Sequence, residues 1–265
     1  MKIGKVESYI HEKLKENGAM LFCLIDPVDY KTPEIAIKTA KECVRGGADA
    51  VLLGGSVGAQ GELLDTVARR IKEEIRDVPL ILFPGNIATI TRHADAIFFM
   101  SLMNSRNPYW LVQAHMLAAP LIKASKIEAL PVGYILVVPG GTAGWVGDVN
   151  LIPREKPQLA AALALTGEYL GHRIIFTDTG SNPGKFGMGH IDLDMISAVK
   201  RAISVPYVVG GGVKTPEELR KVYAAGADIV VIGTAFEDHG EEVYKKAMAF
   251  SKVKKEEGAK KLKKM

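Results

Sequence analysis

Eight short apolar segments alternate with helical segments along this chain, and that alternation constrains the fold more than any other feature. Nearly continuous apolar strands are typical of a parallel sheet that is covered on both faces. Eight strand–helix units in 265 residues predict an α/β fold, the (β/α)8 TIM-type barrel, as a single domain over residues 1–265. The predicted strands are residues 20–25, 50–53, 80–83, 96–100, 134–138, 173–177, 207–209 and 228–232.

The chain also contains three copies of one pattern, in which Ala-Asp precedes an apolar strand and small polar residues follow it. The copies are residues 47–56, 93–101 and 226–235. Repeated strand units of this kind favour a barrel over an open sheet. No Gly-x-Gly-x-x-Gly motif follows the first strand, which counts against a dinucleotide-binding fold.

The connection between the third and fourth predicted strands is too short for an ordinary crossover. After the turn Pro84-Gly85-Asn86 only residues 87–95 remain, whereas a crossover usually needs a dozen or more residues including its helix. We therefore expect a shortened or missing third helix. The segment 100–110 after the fourth strand is rich in large apolar residues. Such a cluster is usually core, but beside this gap it would wall a groove for a hydrocarbon.

Two glycine turns follow the last two predicted strands. Gly210-Gly211-Gly212 and Gly233-Thr234 would expose bare backbone N–H groups, which favour anions. Phosphate sites after strands 7 and 8 recur in (β/α)8 barrels. Glycine also makes tight turns for conformational reasons alone. The triple glycine followed by a second turn at βαβ spacing favours a phosphate site.

The positive net charge of the chain is concentrated at its C-terminus. Residues 251–265 hold seven lysines and two glutamates, a net +5, while the whole chain carries +4, which leaves −1 for the rest. This balance counts against a nucleic-acid partner. The basic tail is expected to be a solvated helix end, and attraction to an anionic membrane surface is the alternative. An amphipathic N-terminal helix is predicted at residues 3–17.

The remaining composition indicates a cytoplasmic protein. Cys23 and Cys43 fall on a predicted strand and a predicted helix, where buried thiols are more common than a disulfide or a metal pair. No apolar run is long enough to predict a membrane span.

Polar side chains at the ends of predicted strands indicate where the chemistry occurs. Asp26 ends the first strand and Ser56 follows the second. A carboxylate with a hydroxyl suits Mg²⁺, which keeps several waters and binds substrate phosphates. The alternative role of Asp26 is to cap the turn at Pro27. The histidines have no zinc-ligand spacing, and His115, on an apolar helix, is expected to be a packed histidine.

Several motifs resemble those of the geranylgeranylglyceryl phosphate synthase (prenylglyceryl phosphate synthase) family, over nearly the whole chain. The matching segments are Pro131-Val132-Gly133-Tyr134, Pro139-Gly140, Val146-Gly147, residues 151–154, residues 167–171 and residues 210–213, together with Asp26-Pro27, Gly54-Gly55-Ser56 and Gly233-Thr234. The resemblance implies a (β/α)8 barrel whose third helix is replaced by a loop. It also implies a Mg²⁺-dependent prenyltransferase (an alkyl transferase) of archaeal membrane lipid synthesis. Such an enzyme joins the 3-hydroxyl of sn-glycerol 1-phosphate to geranylgeranyl diphosphate and releases diphosphate.

The resemblance further implies roles for individual residues. Asp26 and Ser56 would hold Mg²⁺ on the diphosphate, and Trp110 would line the prenyl channel. The glycine turns would hold the glycerol phosphate through Gly210, Gly211, Gly212, Gly233 and Thr234. The end of strand 6 and the loop after it would position the glycerol, through Phe176, Thr177, Thr179, Gly180, Ser181 and Asn182. Assembly into a homo-oligomer is also plausible for the family.

This chain departs from the family pattern at two places. After strand 6 the family usually has Tyr-Leu-Glu-Ala-Gly-Ser-Gly-Ala, whereas residues 176–183 are Phe-Thr-Asp-Thr-Gly-Ser-Asn-Pro. The expected glutamate is thus Asp178, our candidate catalytic base, and the tyrosine hydroxyl is absent. Strand 5 often ends in Glu-Pro-Gly, whereas this chain has Val138-Pro139-Gly140.

Two alternatives to the synthase function therefore stay open. The first is a catalytically altered paralogue that binds a prenyl or phosphate ligand without turnover. The second is another phosphate-binding TIM-barrel enzyme, of the phosphosugar isomerase or aldolase type. The second alternative predicts a lysine or paired acids at the mouth of the barrel, which the sequence does not clearly supply.

Overall fold

The computed structural model describes residues 3–237 and 241–264. Within these residues, eight parallel strands pair in chain order and β8 pairs with β1, so that the barrel closes. The strands are β1 (Met20–Ile25), β2 (Ala50–Leu53), β3 (Leu80–Leu82), β4 (Ala96–Leu102), β5 (Glu128–Leu136), β6 (Ile174–Asp178), β7 (Tyr207–Gly210) and β8 (Ile229–Ile232). The predicted fold class is confirmed.

Helices cover the outside of the barrel and its N-terminal end. They are α1 (Lys5–Asn17), α2 (Pro33–Arg45), α3 (Gly61–Glu74), α4 (Ala114–Ser125), α5 (Gly141–Val146), α6 (Pro157–Tyr169), α7 (Leu193–Ala202), α8 (Pro216–Ala225) and α9 (Glu241–Leu262). Val6 and Ile10 of α1 pack with the inward-facing strand residues. Helix α1 therefore closes the end of the barrel opposite to the C-terminal ends of the strands.

The third crossover has no helix. Residues 83–95, all of them described, form only turns and bends between β3 and β4. The expectation of a missing third helix is thus confirmed. After β4 the chain forms a π-helical turn, Tyr109–Gln113, which continues directly into α4.

The three copies of the Ala-Asp pattern perform one structural role. Asp49, Asp95 and Asp228 stand just before β2, β4 and β8, and each carboxylate accepts a hydrogen bond from a backbone N–H of the preceding strand. Each also forms an ion pair with a lysine. The three sets are Asp49 with Leu21 and Lys254, Asp95 with Leu80 and Lys72, and Asp228 with Tyr207 and Lys200. The repeat therefore fixes neighbouring strands to each other at the N-terminal end of the barrel.

The lysine-rich C-terminal segment is a solvated helix end only in part, since five of its seven lysines are exposed but Lys254 is buried. It forms the second half of α9, which packs against α1, α2, α8 and β1. Lys254 is only 5% exposed, and Glu257, which pairs with Arg220 at 2.8 Å, is 4% exposed. The prediction is wrong for these residues because partners on other elements satisfy their charges.

One further prediction about local structure is corrected. Strand β5 begins at Glu128, six residues before the predicted start, and runs through Pro131. The glycine-rich segment 139–153 contains the short helix α5. Cys23 and Cys43 are buried free thiols, as expected. In the part of the chain that the structure describes, no helix is both long enough and apolar enough to cross a membrane.

Candidate active site

The C-terminal ends of the strands surround a cavity of about 1700 Å³, a volume that includes its open mouth. One side of the cavity is formed by polar loops and the other by apolar side chains. The predicted site residues that line it are Asp26, Ser56, Trp110, Phe176, Asp178, Gly180, Ser181, Asn182, Gly210, Gly211, Gly212, Gly233 and Thr234.

Two predicted site residues, Thr177 and Thr179, are absent from the described lining of the cavity. Side chains alternate along a strand, so Thr177 faces away from the barrel interior, and its Oγ1 lies 2.7 Å from the Tyr207 hydroxyl. Thr179 is fully buried, and its Oγ1 has no hydrogen-bond partner among the described residues. This hydroxyl lies directly beneath the turn at Gly211.

The glycine turn after β7 leaves no room for side chains. Gly211 and Gly212 have φ values of +80° and +78°, which favour glycine. A Cβ on Gly211 would lie 2.2 Å from Thr179 Oγ1, and one on Gly212 would lie 2.6 Å from the His190 backbone nitrogen. The turn therefore presents bare backbone to the cavity beside Gly233-Thr234. We call these two turns the phosphate cup.

Asp178 lies next to the phosphate cup, at the end of β6. Its carboxylate accepts hydrogen bonds from the Tyr134 hydroxyl and from the Gly180 backbone N–H, each at 2.8 Å. Burial raises the pKa of Asp178, and these hydrogen bonds oppose the rise in pKa. A buried carboxylate held by two donors and open to a cavity is suited to accept a proton.

Tyr134 lines the cavity but was not among the predicted site residues. Its ring packs between Phe83 and Phe176, with centroids 5.7 and 5.1 Å away. A hydroxyl is thus supplied to Asp178 from the neighbouring strand. The motif Pro131-Val132-Gly133-Tyr134 drew attention to this tyrosine, but its contact with Asp178 follows only from the structure, where the register of β5 against β6 places Tyr134 beside Phe176.

Carboxylates cluster at the mouth where β1 pairs with β8, next to the Gly233-Thr234 turn. Asp26 caps the turn after β1, since it accepts a hydrogen bond from Val28 N at 3.2 Å. Its Oδ2 lies against Gly55, where a Cβ would be 1.9 Å away. Burial, followed by repulsion from Asp29, raises the pKa of Asp26 to about 7, and Glu237 contributes further. Asp29 and Glu237 were not predicted as site residues, because they lie outside the strand ends.

Asp26 and Ser56 would supply only some of the ligands of a magnesium ion, and these residues fit that role. Across residues 3–237 and 241–264, no group of three or more His, Cys, Asp or Glu side chains could hold a metal. Mg²⁺ needs no such group, because it commonly binds one or two carboxylates together with waters and substrate phosphates. A cation here would also relieve the repulsion that raises the pKa of Asp26. Asp26 and Ser56 are therefore suitable partial ligands.

The apolar side of the cavity follows the space left by the missing third helix. Trp110, Ala114, Ala118 and Ile122 form one wall, and at 1.5 Å per helical residue the stretch from 110 to 122 spans about 18 Å. The opposite wall is formed by apolar residues of the β3–β4 side, including Ile87, Ile90, Ile97 and Phe99. We call this space the apolar slot.

His115 also lines the apolar slot. Its ring meets Phe99 edge-on at 4.5 Å, and burial lowers the pKa of the imidazole. The histidine is therefore neutral and packed, as the apolar pattern of its helix predicts.

The phosphate cup, the acidic side and the apolar slot meet in one cavity. This combination is typical of a (β/α)8 barrel for substrates that combine phosphate groups with a long hydrocarbon chain.

Comparison with known proteins identifies the family of this chain. The PcrB family model matches residues 11–251. The geranylgeranylglyceryl phosphate synthase of Thermococcus sibiricus is 51% identical over 240 residues, 91% of each chain. That of Pyrococcus furiosus is 51% identical over 248 residues, 93% of this chain and 96% of its own. The chain therefore belongs to the PcrB family, in which it is similar to geranylgeranylglyceryl phosphate synthases.

A solved structure gives the same result. The crystal structure of (S)-3-O-geranylgeranylglyceryl phosphate synthase from Thermoplasma acidophilum, in complex with its substrate sn-glycerol-1-phosphate, superposes with a TM-score of 0.88. It is 34% identical and covers 96% of this chain and all of its own. The resemblance inferred from the sequence motifs is thus confirmed.

Proposed function

We propose that this protein is a prenyltransferase that forms an ether between sn-glycerol 1-phosphate and geranylgeranyl diphosphate and releases diphosphate. The observation that carries the proposal is that the phosphate cup and the apolar slot meet beside Asp178. With bonds of about 1.5 Å, an extended isoprene unit spans about 5 Å, so four units need about 20 Å. The apolar slot has about this length. The names of the relatives support the same reaction.

In this proposal the phosphate cup holds the glycerol phosphate so that its 3-hydroxyl faces Asp178. The carboxylate accepts the hydroxyl proton while the glycerol oxygen bonds to the first carbon of the prenyl chain. The bond from that carbon to diphosphate breaks, and its electron pair leaves with diphosphate. Tyr134 and the Gly180 N–H hold the carboxylate in position. The apolar walls exclude water, which would otherwise attack the same carbon.

Synthesis of the ether is the direct test. The protein is incubated with labelled sn-glycerol 1-phosphate and geranylgeranyl diphosphate at millimolar Mg²⁺, and the lipid fraction is analysed. We expect a geranylgeranylglyceryl phosphate ether. Absence of the ether, with binding of both substrates, would instead favour the altered paralogue, which the replacement of glutamate by Asp178 suggests.

Removal of magnesium should abolish the reaction. We infer that Asp26 and Ser56 would hold Mg²⁺ on the diphosphate, and that the ion would supply positive charge that stabilises the leaving group. Activity should fall to background after dialysis against EDTA and return when Mg²⁺ is added. Asp26→Asn should require a higher Mg²⁺ concentration for half-maximal rate, whereas Asp65→Asn, on α3, should not. Full activity in EDTA would contradict the role of the metal.

Removal of the Tyr134 hydroxyl should shift the pH dependence of the reaction. The hydrogen bond from Tyr134 lowers the pKa of Asp178, so its loss raises that pKa further. Since the base must be ionised, the acidic limb of kcat/KM in Tyr134→Phe should move up by about one pH unit, the shift expected for one charged hydrogen bond. Tyr169→Phe, at a side chain that is 80% exposed, should leave the limb in place. An unshifted limb in Tyr134→Phe would exclude this coupling.

We further propose that the chain acts as a single domain in the cytoplasm, where its buried free thiols stay reduced. The outer face of α4 supports an additional contact, because the side chains of Val112, Met116, Leu117 and Leu121 are 50–65% exposed. No acidic residue occurs between positions 96 and 127. We propose this face, rather than the lysine-rich end of α9, for peripheral contact with an anionic membrane.

Two measurements separate membrane contact from self-association into a homo-oligomer. Sedimentation with phosphatidylglycerol vesicles should be lost in Leu117→Glu/Leu121→Glu and kept in Leu170→Glu, a matched exposed leucine on another part of the surface. If light scattering instead shows that the double variant changes an oligomer to a monomer, and no form binds vesicles, the face binds a second copy of the chain.

A further inference from the structure

Lys214 brings a positive charge to the phosphate cup, and the sequence did not single it out. It stands two residues after the triple-glycine turn and lines the cavity. Its backbone N–H donates to Glu218 at 2.7 Å, within the capping box that begins α8. The position of the Lys214 backbone is therefore fixed by the helix start.

The side chain of Lys214 extends from the β7 turn to the loop after β6. Its ammonium nitrogen lies against Gly184, where a Cβ would be only 2.8 Å away. On the same side, Gly212 is close to Pro183 and to the His190 backbone. The ammonium thus lies above the junction of the two loops that border the phosphate cup.

This ammonium has no ion-pair partner among the residues that the structure describes. Lys185, on the neighbouring loop after β6, differs, because it is in the electrostatic range of Asp29 and Glu237. Lys214 is therefore a cation beside the phosphate cup whose charge no described carboxylate neutralises.

The phosphate cup needs such a cation because Asp178 is so close to it. A Cβ on Gly211 would lie 2.6 Å from Asp178 Oδ1, so a phosphate at this turn lies near the carboxylate that must be ionised. Backbone N–H groups carry only partial charges, whereas a hydrogen bond from an ammonium to phosphate is charge-assisted. Magnesium at Asp26 would serve the diphosphate instead.

We propose that Lys214 binds the phosphate group of the acceptor, together with the two glycine turns, and selects phosphorylated glycerol over glycerol. The identity of the acceptor rests on the proposed function, but the binding of a phosphate group by Lys214 does not. Lys214 offsets the repulsion between that phosphate and Asp178. It also holds the loop after β6 against the bound acceptor.

Calorimetric titration of the full chain with inorganic phosphate, and separately with sn-glycerol 1-phosphate, tests the proposal. Lys214→Met should weaken both affinities by about 10- to 100-fold, the range for one hydrogen bond to a charged group. Lys214→Arg should recover most of this loss. Lys221→Met removes an exposed lysine from the same helix and should match the wild type.

Steady-state kinetics distinguish a loss of acceptor binding from a general loss of activity or stability. Lys214→Met should raise KM for sn-glycerol 1-phosphate and leave KM for the prenyl diphosphate and the melting temperature unchanged. Unchanged phosphate affinity, or a raised KM for the prenyl diphosphate alone, would overturn the proposal. If no form makes the ether but Lys214→Met still loses phosphate affinity, the proposed reaction fails while the role of Lys214 stands.

Discussion

Asp178→Asn is expected to lower kcat by about 10²- to 10⁴-fold, the usual contribution of a general base. Asparagine has nearly the same shape and still accepts a hydrogen bond, but it cannot take the proton of the glycerol hydroxyl. Single-turnover rates with both substrates bound measure this loss directly. Asp194→Asn, at an exposed position on α7, is the matched control and should keep the wild-type rate.

The same substitution should not destabilise the protein. Burial raises the pKa of Asp178 in the folded state, so ionisation of this group opposes folding at neutral pH. The sign follows from linkage: the group favours the folded state most at low pH and disfavours it as pH rises past the unfolded pKa. A urea midpoint equal to or above that of the wild type is therefore expected.

Full activity of the Asp178→Asn variant would show that Asp178 is not the base.

Asp49→Ala is expected to cause the largest loss of stability. The ammonium of Lys254 donates to both oxygens of Asp49, at 2.9 and 2.8 Å, and both residues are buried. Removal of the carboxylate leaves the buried ammonium with a neutral acceptor, the Gly47 carbonyl, but without a counter-charge, which costs about 3–5 kcal/mol. It also removes the acceptor for the Leu21 N–H. The free energy of unfolding in urea measures the effect.

The controls for this prediction separate burial from charge. Glu16→Ala breaks the exposed pair with Lys13, 3.4 Å apart, and should cost less than about 1 kcal/mol. Asp49→Ala/Lys254→Met removes the uncompensated charge and should recover part of the loss. A loss below about 1 kcal/mol for Asp49→Ala would show that the pair does not stabilise the barrel.

The sequence predicted the barrel because its local signals agree with its topology. Apolar runs bounded by glycine or Ala-Asp marked most strands, and the length of residues 83–95 predicted the missing helix. Strand β5 was placed too late because Pro131 and Gly133 interrupt the strand pattern. What holds its start is a distant contact, since Glu128 accepts hydrogen bonds from Val6 N and Glu7 N at 2.7 and 3.0 Å.

In the candidate site, too, local sequence signals gave correct predictions, and features that depend on the folded structure were missed. Asp26 and Asp178 were predicted because strand ends converge at one face of the barrel. Tyr134 and Lys214 were missed because each contacts an element far away in sequence, and Asp29 and Glu237 were missed because they lie outside the strand ends. The burial of Lys254 has the same origin, since its partner Asp49 lies 205 residues away. From its charge alone, that lysine was predicted to be exposed to solvent.

A crystal structure of this protein with sn-glycerol 1-phosphate and a non-cleavable thiolo analogue of geranylgeranyl diphosphate is the decisive test of the proposed site. We expect the glycerol phosphate group on the turns at Gly211 and Gly233, with the 3-hydroxyl within hydrogen-bond distance of Asp178. We also expect the prenyl chain along Trp110, Ala118 and Ile122. A phosphate bound away from both turns, or a prenyl chain outside the apolar slot, would contradict it.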